Sequence, residues 1–259
     1  MQLASRKPSE QAPPRMAALA TLPVFLSLVG KRAIVAGGSA AAAWKAELLA
    51  AAGADVHVYA KDVAPEMEAL LARGAASGTL TLHAGLWAVE SLVGAAVAIA
   101  DAESEDEASA FYSAAVQAGV PVNVIDKPAF CQFQFGAIVN RSPIVVGIST
   151  TGAAPILGQA IRRRIETLLP PALALWGQLA SAIRERVGER LAAGAARRAF
   201  WEKFVDRAFG PAPAPSEFAR LDHLIDALST RSQTRAGRVT LVGAGPGNAE
   251  LLTLKAVRA

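Results

Sequence analysis

Cysteine is almost absent from this chain. Cys131 is the only one in 259 residues, which excludes an internal disulfide and a multi-cysteine metal site and fits a reducing compartment. Histidine is nearly as scarce: His57, His83 and His223 are dispersed, so no protein-only zinc constellation is readable. No apolar stretch reaches the ~18 residues that spanning a bilayer requires. The net charge of +4 admits nucleic acid, a membrane surface or an anionic small substrate, and because aromatic residues make up only 6% and do not interleave with the basic ones, RNA or DNA is the weaker reading. Charged residues are sparse at 19% against 53% hydrophobic ones, which places the chain among globular proteins, and its length allows one large domain or two modest ones.

Arg6, Lys7 and Arg15 precede the apolar run Met16–Val29, an arrangement with the outline of a secretory leader. Pro23 interrupts the run, no small-x-small cleavage site follows, and the segment leads straight into a strand. The expectation is a disordered tail over 1–21, then the domain start, in a soluble cytoplasmic protein.

From Arg32 onward short apolar strands alternate with helical segments. Strands are expected at Arg32–Val35, Asp55–Tyr59, Thr79–His83, Ala95–Ile99 and Pro121–Ile125, and helices at Ala40–Ala52, Pro65–Arg73 and Glu105–Ala118. This rhythm predicts an α/β, doubly wound parallel sheet with the carboxyl ends of its strands along one edge. After Asp126 the pattern changes. Phe135–Val139 and Ile144–Ser149 are apolar runs joined by the turn signal Asn140-Arg141-Ser142-Pro143, and they read either as a hairpin or as edge strands. Beyond Gly152 the chain is helical to about Ser229. One helix stops at Pro170-Pro171, others carry Trp176 and Phe200-Trp201, and Pro211–Pro215 reads as a semi-rigid spacer before the last helix. A new strand, turn and helix begin at Arg238, and twenty-odd residues are too few for a domain, so the chain reads as truncated there.

Two glycine turns follow strands and open helices. In the first, Gly37-Gly38-Ser39-Ala40-Ala41-Ala42, the backbone amides at a helix start would meet a dinucleotide pyrophosphate. The fingerprint asks for glycine, glycine, and glycine or alanine at its first, third and sixth positions, filled here by Gly37, Ser39 and Ala42. Ser39 adds a Cβ where the backbone should approach phosphate most closely. The acidic residue that usually binds the adenosine ribose at the end of the second strand is also missing: Tyr59 stands there, with Asp62 three residues on. The second turn, Val242-Gly243-Ala244-Gly245-Pro246-Gly247-Asn248, suits a nucleotide-like ligand such as S-adenosylmethionine.

In order and spacing, these features resemble the siroheme synthases from about Leu22 to the end. The matching stretches are Leu22-Pro23-Val24-Phe25, Ile34-Val35-Ala36-Gly37-Gly38 with Lys45 in the next helix, Asn123-Val124-Ile125-Asp126, Arg141-Ser142-Pro143, and Gly152 with Pro155 before a helix ending Leu168-Leu169-Pro170. Phe200-Trp201-Glu202-Lys203-Phe204 follows. The terminal turn, with Leu251-Leu252-Thr253-Leu254-Lys255, is similar to the start of a uroporphyrinogen-III methyltransferase domain. The resemblance implies a Rossmann-like dinucleotide-binding domain over 22–135, a dimerisation segment over 136–170, a helical domain and linker over 171–235, and the truncated start of a methyltransferase domain over 236–259. It further implies NAD-dependent oxidation of precorrin-2 to sirohydrochlorin, insertion of Fe²⁺ to give siroheme, and a homodimer.

Asp126 matches the family's catalytic aspartate. Its place just past the fifth strand, at the edge where open sheets bind ligands, independently suits a base that takes a proton as hydride leaves the macrocycle. Ala40, Ala41, Lys61 and Asp62 match the family's dinucleotide contacts, the first two through backbone amides. The substrate that the resemblance implies is a polycarboxylate, so Arg141 is a candidate for its pocket. Of Arg162-Arg163-Arg164, successive on a helix and so pointing apart, at most one or two would face a ligand. Thr150 stands where the family can carry a phosphorylated serine. Ser39, and Asp101-Ala102-Glu103 in place of a small–Thr–Asp segment, depart from the family pattern. Asn248 replaces an aspartate and the later methyltransferase segment is absent, so Pro246 is a cofactor contact only in a longer parent protein and no methyl transfer is expected here. Two other readings compete: a non-catalytic NAD-binding regulatory or assembly domain, which needs no Asp126, and a methyltransferase with an N-terminal scaffold.

Overall fold

A computed structural model describes residues 17–231. The expected tail up to residue 16, the strand at Arg238 and the second glycine turn with Pro246 lie outside the described residues. The described chain divides into two units. The first runs to residue 137 and includes 147–160; the second comprises 138–146 and the chain from 161.

The first unit is built on five parallel strands: β1 (Arg32–Ala36), β2 (Asp55–Ala60), β3 (Thr79–Ala84), β4 (Val97–Ala100) and β5 (Val122–Val124), in the order β3-β2-β1-β4-β5. Both faces are covered, which is why the central strands are nearly continuous apolar runs. Ala33, Val35, Val56, Val58, Val97 and Ile99 point to one face, where α1 (Ala40–Ala51) and α2 (Pro65–Arg73) pack through Ala42, Ala46, Leu49, Met67 and Leu70. Ile34, Ala36, Ala98, Val122 and Val124 point to the other, against α3 (Val89–Leu92) and α4 (Glu105–Gln117) through Leu92, Phe111 and Ala115. Alternation along a strand therefore sorts side chains between two cores. The alanines of α1 bring that helix close to the sheet, and its first turn lies at the carboxyl end of β1.

The expected strands and helices of this unit stand within two residues of those observed. Two short elements are additions. One is α3, a single turn too short to show periodicity. The other is a 3₁₀ turn over Pro128–Phe130, begun by the proline and closing the loop after Asp126.

The two apolar runs form β6 (Ala137–Arg141) and β7 (Ile144–Ile148), a two-stranded sheet of their own, which settles the alternatives in favour of the hairpin. At its turn Asn140 Oδ1 accepts from the Ser142 amide at 2.9 Å and from the Ser142 hydroxyl at 2.6 Å. Helix α5 (Pro155–Leu168) follows. In the second unit α6 (Leu173–Arg190), α7 (Ala195–Ala208) and α8 (Glu217–Arg231) enclose a core of Trp176, Ile183, Val187, Phe200, Phe204, Leu221 and Ile225. The proline segment before α8 is anchored rather than a bare spacer: Trp176 Nε1 donates to the Pro211 carbonyl at 2.9 Å, and the Arg207 guanidinium grips the buried Glu217 carboxylate at 2.8 and 2.7 Å.

Candidate functional site

The strand order reverses between β1 and β4, and in an open parallel sheet that reversal leaves a crevice outside the carboxyl ends of the strands. The glycine turn lies there. Gly37 leaves β1 with φ 122°, in the region that favours glycine, and a Cβ on it would press on Asp101 Cβ at 3.0 Å. Gly38 has no room for a Cβ at all, because the Asp62 carbonyl oxygen occupies that space, and its own carbonyl accepts from the Ala64 amide at 2.8 Å. The loop carrying Lys61 and Asp62 is thus packed directly on the turn, with both side chains exposed.

Ser39 is the N-cap of α1. Its Oγ accepts from the Ala42 amide at 3.1 Å, its carbonyl accepts from the Ala43 amide at 2.9 Å, and its hydroxyl donates to the Asp101 carboxylate at the end of β4. The residue that departs from the fingerprint therefore ties the start of α1 to the fourth strand. The amides of Ala40 and Ala41 precede the helix's first internal bonds, both residues are exposed, and no acidic side chain stands in the first turn. Two helix-start amides, a positive dipole end and a glycine that only a bare backbone can fill together fit a pyrophosphate.

At the end of β2, Tyr59 stacks on His83 with ring centroids 4.5 Å apart. His83 Nε2 in turn meets His57 Nδ1 at 2.8 Å, so two histidines that look dispersed in sequence are neighbours across the β2–β3 ladder. His57 Nε2 contacts Asp55 Oδ2 at 3.1 Å and Thr79 donates its hydroxyl to Asp55. These hydrogen bonds, Thr79's first and then His57's, hold the Asp55 carboxyl below the usual carboxylate range.

Asp126 follows β5 by two residues. Its backbone adopts φ 57°, a left-handed conformation that a non-glycine residue holds only where the surroundings impose it. The surroundings are a dense clamp. Asn123, buried in β5, donates from Nδ2 to the Phe133 carbonyl at 2.8 Å and to Cys131 Sγ at 3.3 Å. The Cys131 thiol reaches the carbonyls of Val124 at 3.1 Å and Lys127 at 3.3 Å, and the Gln132 amide bonds the Val122 carbonyl at 2.8 Å. Burial pushes the Cys131 thiol up, so it stays a protonated donor. The result is an exposed carboxylate at the sheet's carboxyl edge on a loop with little freedom to move.

Three of these residues carry no role in the sequence reading: Asn123, Cys131 and Lys45. A polar side chain between two valines of a buried strand is the readable signal for Asn123; Cys131 gives none. The ammonium of half-buried Lys45 lies 4.2 Å from the centroid of the Phe135 ring. Burial lowers its proton affinity and the charge of Asp126 opposes that effect.

Gly37, Gly38, Ser39, Ala40, Ala41, Lys61, Asp62, Asp126 and Thr150 all belong to the first unit. Thr150 Oγ1 lies 3.9 Å from where a Cβ on Gly158 would be, in a tight loop whose Thr151 also has positive φ. Arg141 belongs to the second unit, where its Nε donates to the Leu169 carbonyl at 3.0 Å and its Nη1 to the Asn140 carbonyl at 2.9 Å. Of the three consecutive arginines, Arg162 pairs with Glu166 at 2.9 Å, and Arg163 and Arg164 are exposed.

A family profile for an NAD(P)-binding domain matches residues 24–137, and one described as the sirohaem synthase dimerisation region matches residues 172–225. Siroheme synthase 3 of Aeromonas hydrophila subsp. hydrophila is 39% identical over 239 residues, covering 92% of this chain and 50% of that protein. The siroheme synthases of Pseudomonas aeruginosa and Methylobacillus flagellatus are 39% identical over 242 and 36% identical over 239 residues, with the same two coverages. The chain thus spans about half the length of the curated relatives it matches. Among solved structures, SirC, a precorrin-2 dehydrogenase, aligns with a TM-score of 0.63 at 17% identity over 81% of this chain and 100% of its own, which shows a shared fold.

Proposed function

We propose that this chain, homologous to the siroheme synthases over the half of those proteins that it spans, oxidises precorrin-2 to sirohydrochlorin with NAD⁺. The observation that carries this reading is Asp126: an exposed carboxylate, locked in a left-handed backbone, at the same sheet edge as an anion cradle.

NAD⁺, when bound, supplies the hydride acceptor. The amides of Ala40 and Ala41, at the start of α1 beside Gly37 and Gly38, would hold its pyrophosphate, and Lys61 and Asp62 would contribute to the same cofactor site. Oxidation removes a hydride and a proton from the reduced macrocycle, and Asp126 receives the proton. Arg141 and Thr150 are our assignments for the substrate side. The same carboxylate suits the removal of pyrrole protons when Fe²⁺, here a substrate, enters sirohydrochlorin. S-adenosylmethionine has a role only through residues 236–259, with Pro246, in a longer protein.

Dimerisation is the second part of the proposal. Ile156, Leu157 and Leu168 on α5 and Ile138 and Val145 on the hairpin are each exposed apolar side chains, Ile156 and Leu168 at 83% and 72%. We assign 136–170 to contact with a second copy, together with the helices of the matched dimerisation region; 22–135 is the dinucleotide-binding domain and 171–235 the helical domain and linker.

The test supplies precorrin-2 and NAD⁺ anaerobically to the purified chain and follows NADH and sirohydrochlorin by absorbance. Formation of both in equal amounts is expected. NAD⁺ binding without turnover would instead favour a non-catalytic regulatory or assembly domain.

A further inference from the structure

Lys45 stands on α1 just beyond its first turn, and it is half-buried. Among the described residues of the first unit the ion pairs are His57–Asp55 and Arg73–Glu47, and neither involves it. Instead its Nζ rests over the Phe135 ring, 4.2 Å from the centroid. That ring is firmly placed. It packs edge-on against Phe133 with centroids 5.5 Å apart, and the Phe133 carbonyl accepts from buried Asn123 in β5. The same clamp sets the Asp126 loop, and the charge of Asp126 acts on Lys45. Partly removing an ammonium from water without a carboxylate in contact is unfavourable, and a methionine would fill this place without that cost. An aromatic face is also a weaker partner for an ammonium than a carboxylate in direct contact. The position therefore holds a partly desolvated cation, on a rigid support, within the electrostatic reach of the proposed base.

We propose that Lys45 is a binding residue for a carboxylate of the tetrapyrrole substrate, anchoring one acidic substituent so that the macrocycle is presented to Asp126. This rests on the dehydrogenase reading, and it deepens it by naming a second charged group of the substrate site. A carboxylate arriving at Lys45 gains a charge-assisted hydrogen bond in a site already partly dry, where such a contact is strongest.

The experiment is equilibrium titration of the full chain with sirohydrochlorin, anaerobically, and separately with NAD⁺, for the wild type, Lys45→Met and Lys45→Arg. Lys45→Met is expected to weaken sirohydrochlorin binding about tenfold or more, in line with removing one partner of a desolvated charge pair, while NAD⁺ affinity stays within about twofold; Lys45→Arg retains most of the binding. Unchanged sirohydrochlorin affinity in Lys45→Met overturns the proposal. So does a parallel loss of NAD⁺ affinity, which would give the ammonium to the dinucleotide phosphates, and so does failure of the wild type to bind sirohydrochlorin. Lys45→Gln serves as the same test if Lys45→Met aggregates. Because binding is read without turnover, failure of this proposal is separate from failure of the dehydrogenase reading, which shows as absence of NADH formation from precorrin-2 by the wild type.

Discussion

Asp126 combines two properties that a substitution can separate. Its left-handed backbone is tolerated by asparagine nearly as well as by aspartate, whereas its charge is lost in that exchange. Asp126→Asn should therefore keep the melting temperature and NAD⁺ affinity of the wild type while kcat for precorrin-2 oxidation falls by about a hundredfold or more. Asp126→Ala is the poorer probe, since alanine disfavours this backbone and would mix a folding loss with the chemical one. Lys45 gives the complementary prediction. Burial sets its folded-state pKa below the ordinary lysine value of 10.5, so between the two values the folded chain binds fewer protons than the unfolded one, and stability rises with pH across that window. At neutral pH the charged side chain therefore opposes folding. Lys45→Met should melt at or above the wild-type temperature at pH 7, with the advantage shrinking toward pH 10; a clearly lower melting temperature at pH 7 would mean that the ammonium is structural.

At the level of the element, the turn after β1 is where sequence and structure can be compared most closely. The strand, the glycines and the helix were all legible, because apolar alternation and a helix start are local signals. The use of Ser39 was not. Its hydroxyl meets Asp101, 62 residues away, and that contact exists only because β4 lies beside β1 in the sheet. The pairing of Lys45 with Phe135 is hidden for the same reason, while Asp126 was legible because position after a buried strand is enough to suggest its edge. Ser39→Ala removes both the helix cap and the partner of Asp101, and should cost about 1 kcal/mol by thermal or denaturant melting, with Ser39→Gly costing less. Gly38→Ala should be more severe, since its Cβ would displace the Asp62 carbonyl: NAD⁺ affinity falls at least about tenfold and the melting temperature drops. On the β2–β3 edge, Asp55 is held ionised by Thr79 and His57, a contribution present at neutral pH and lost as pH falls through its lowered pKa. The side chain is 45% exposed, so the effect is small. Asp55→Asn should lower the melting temperature slightly at pH 7, with the difference shrinking as pH falls through the lowered pKa.

Across the whole molecule, the two units carry different parts of the account. The first presents the cradle and Asp126. The second encloses its own aromatic core and matches a dimerisation region. Sedimentation should give twice the 26.8 kDa chain mass, and Ile156→Glu with Leu168→Glu should shift it toward the monomer. The chemistry is read by anaerobic turnover of precorrin-2 with NAD⁺ by the purified chain, wild type beside Asp126→Asn. NADH and sirohydrochlorin are expected in equal amounts from the wild type and almost none from a fully folded, NAD⁺-binding Asp126→Asn; a wild type that binds NAD⁺ yet forms no NADH, or a variant that turns over as fast, would contradict the assignment of Asp126 as the base of an NAD⁺-dependent dehydrogenase.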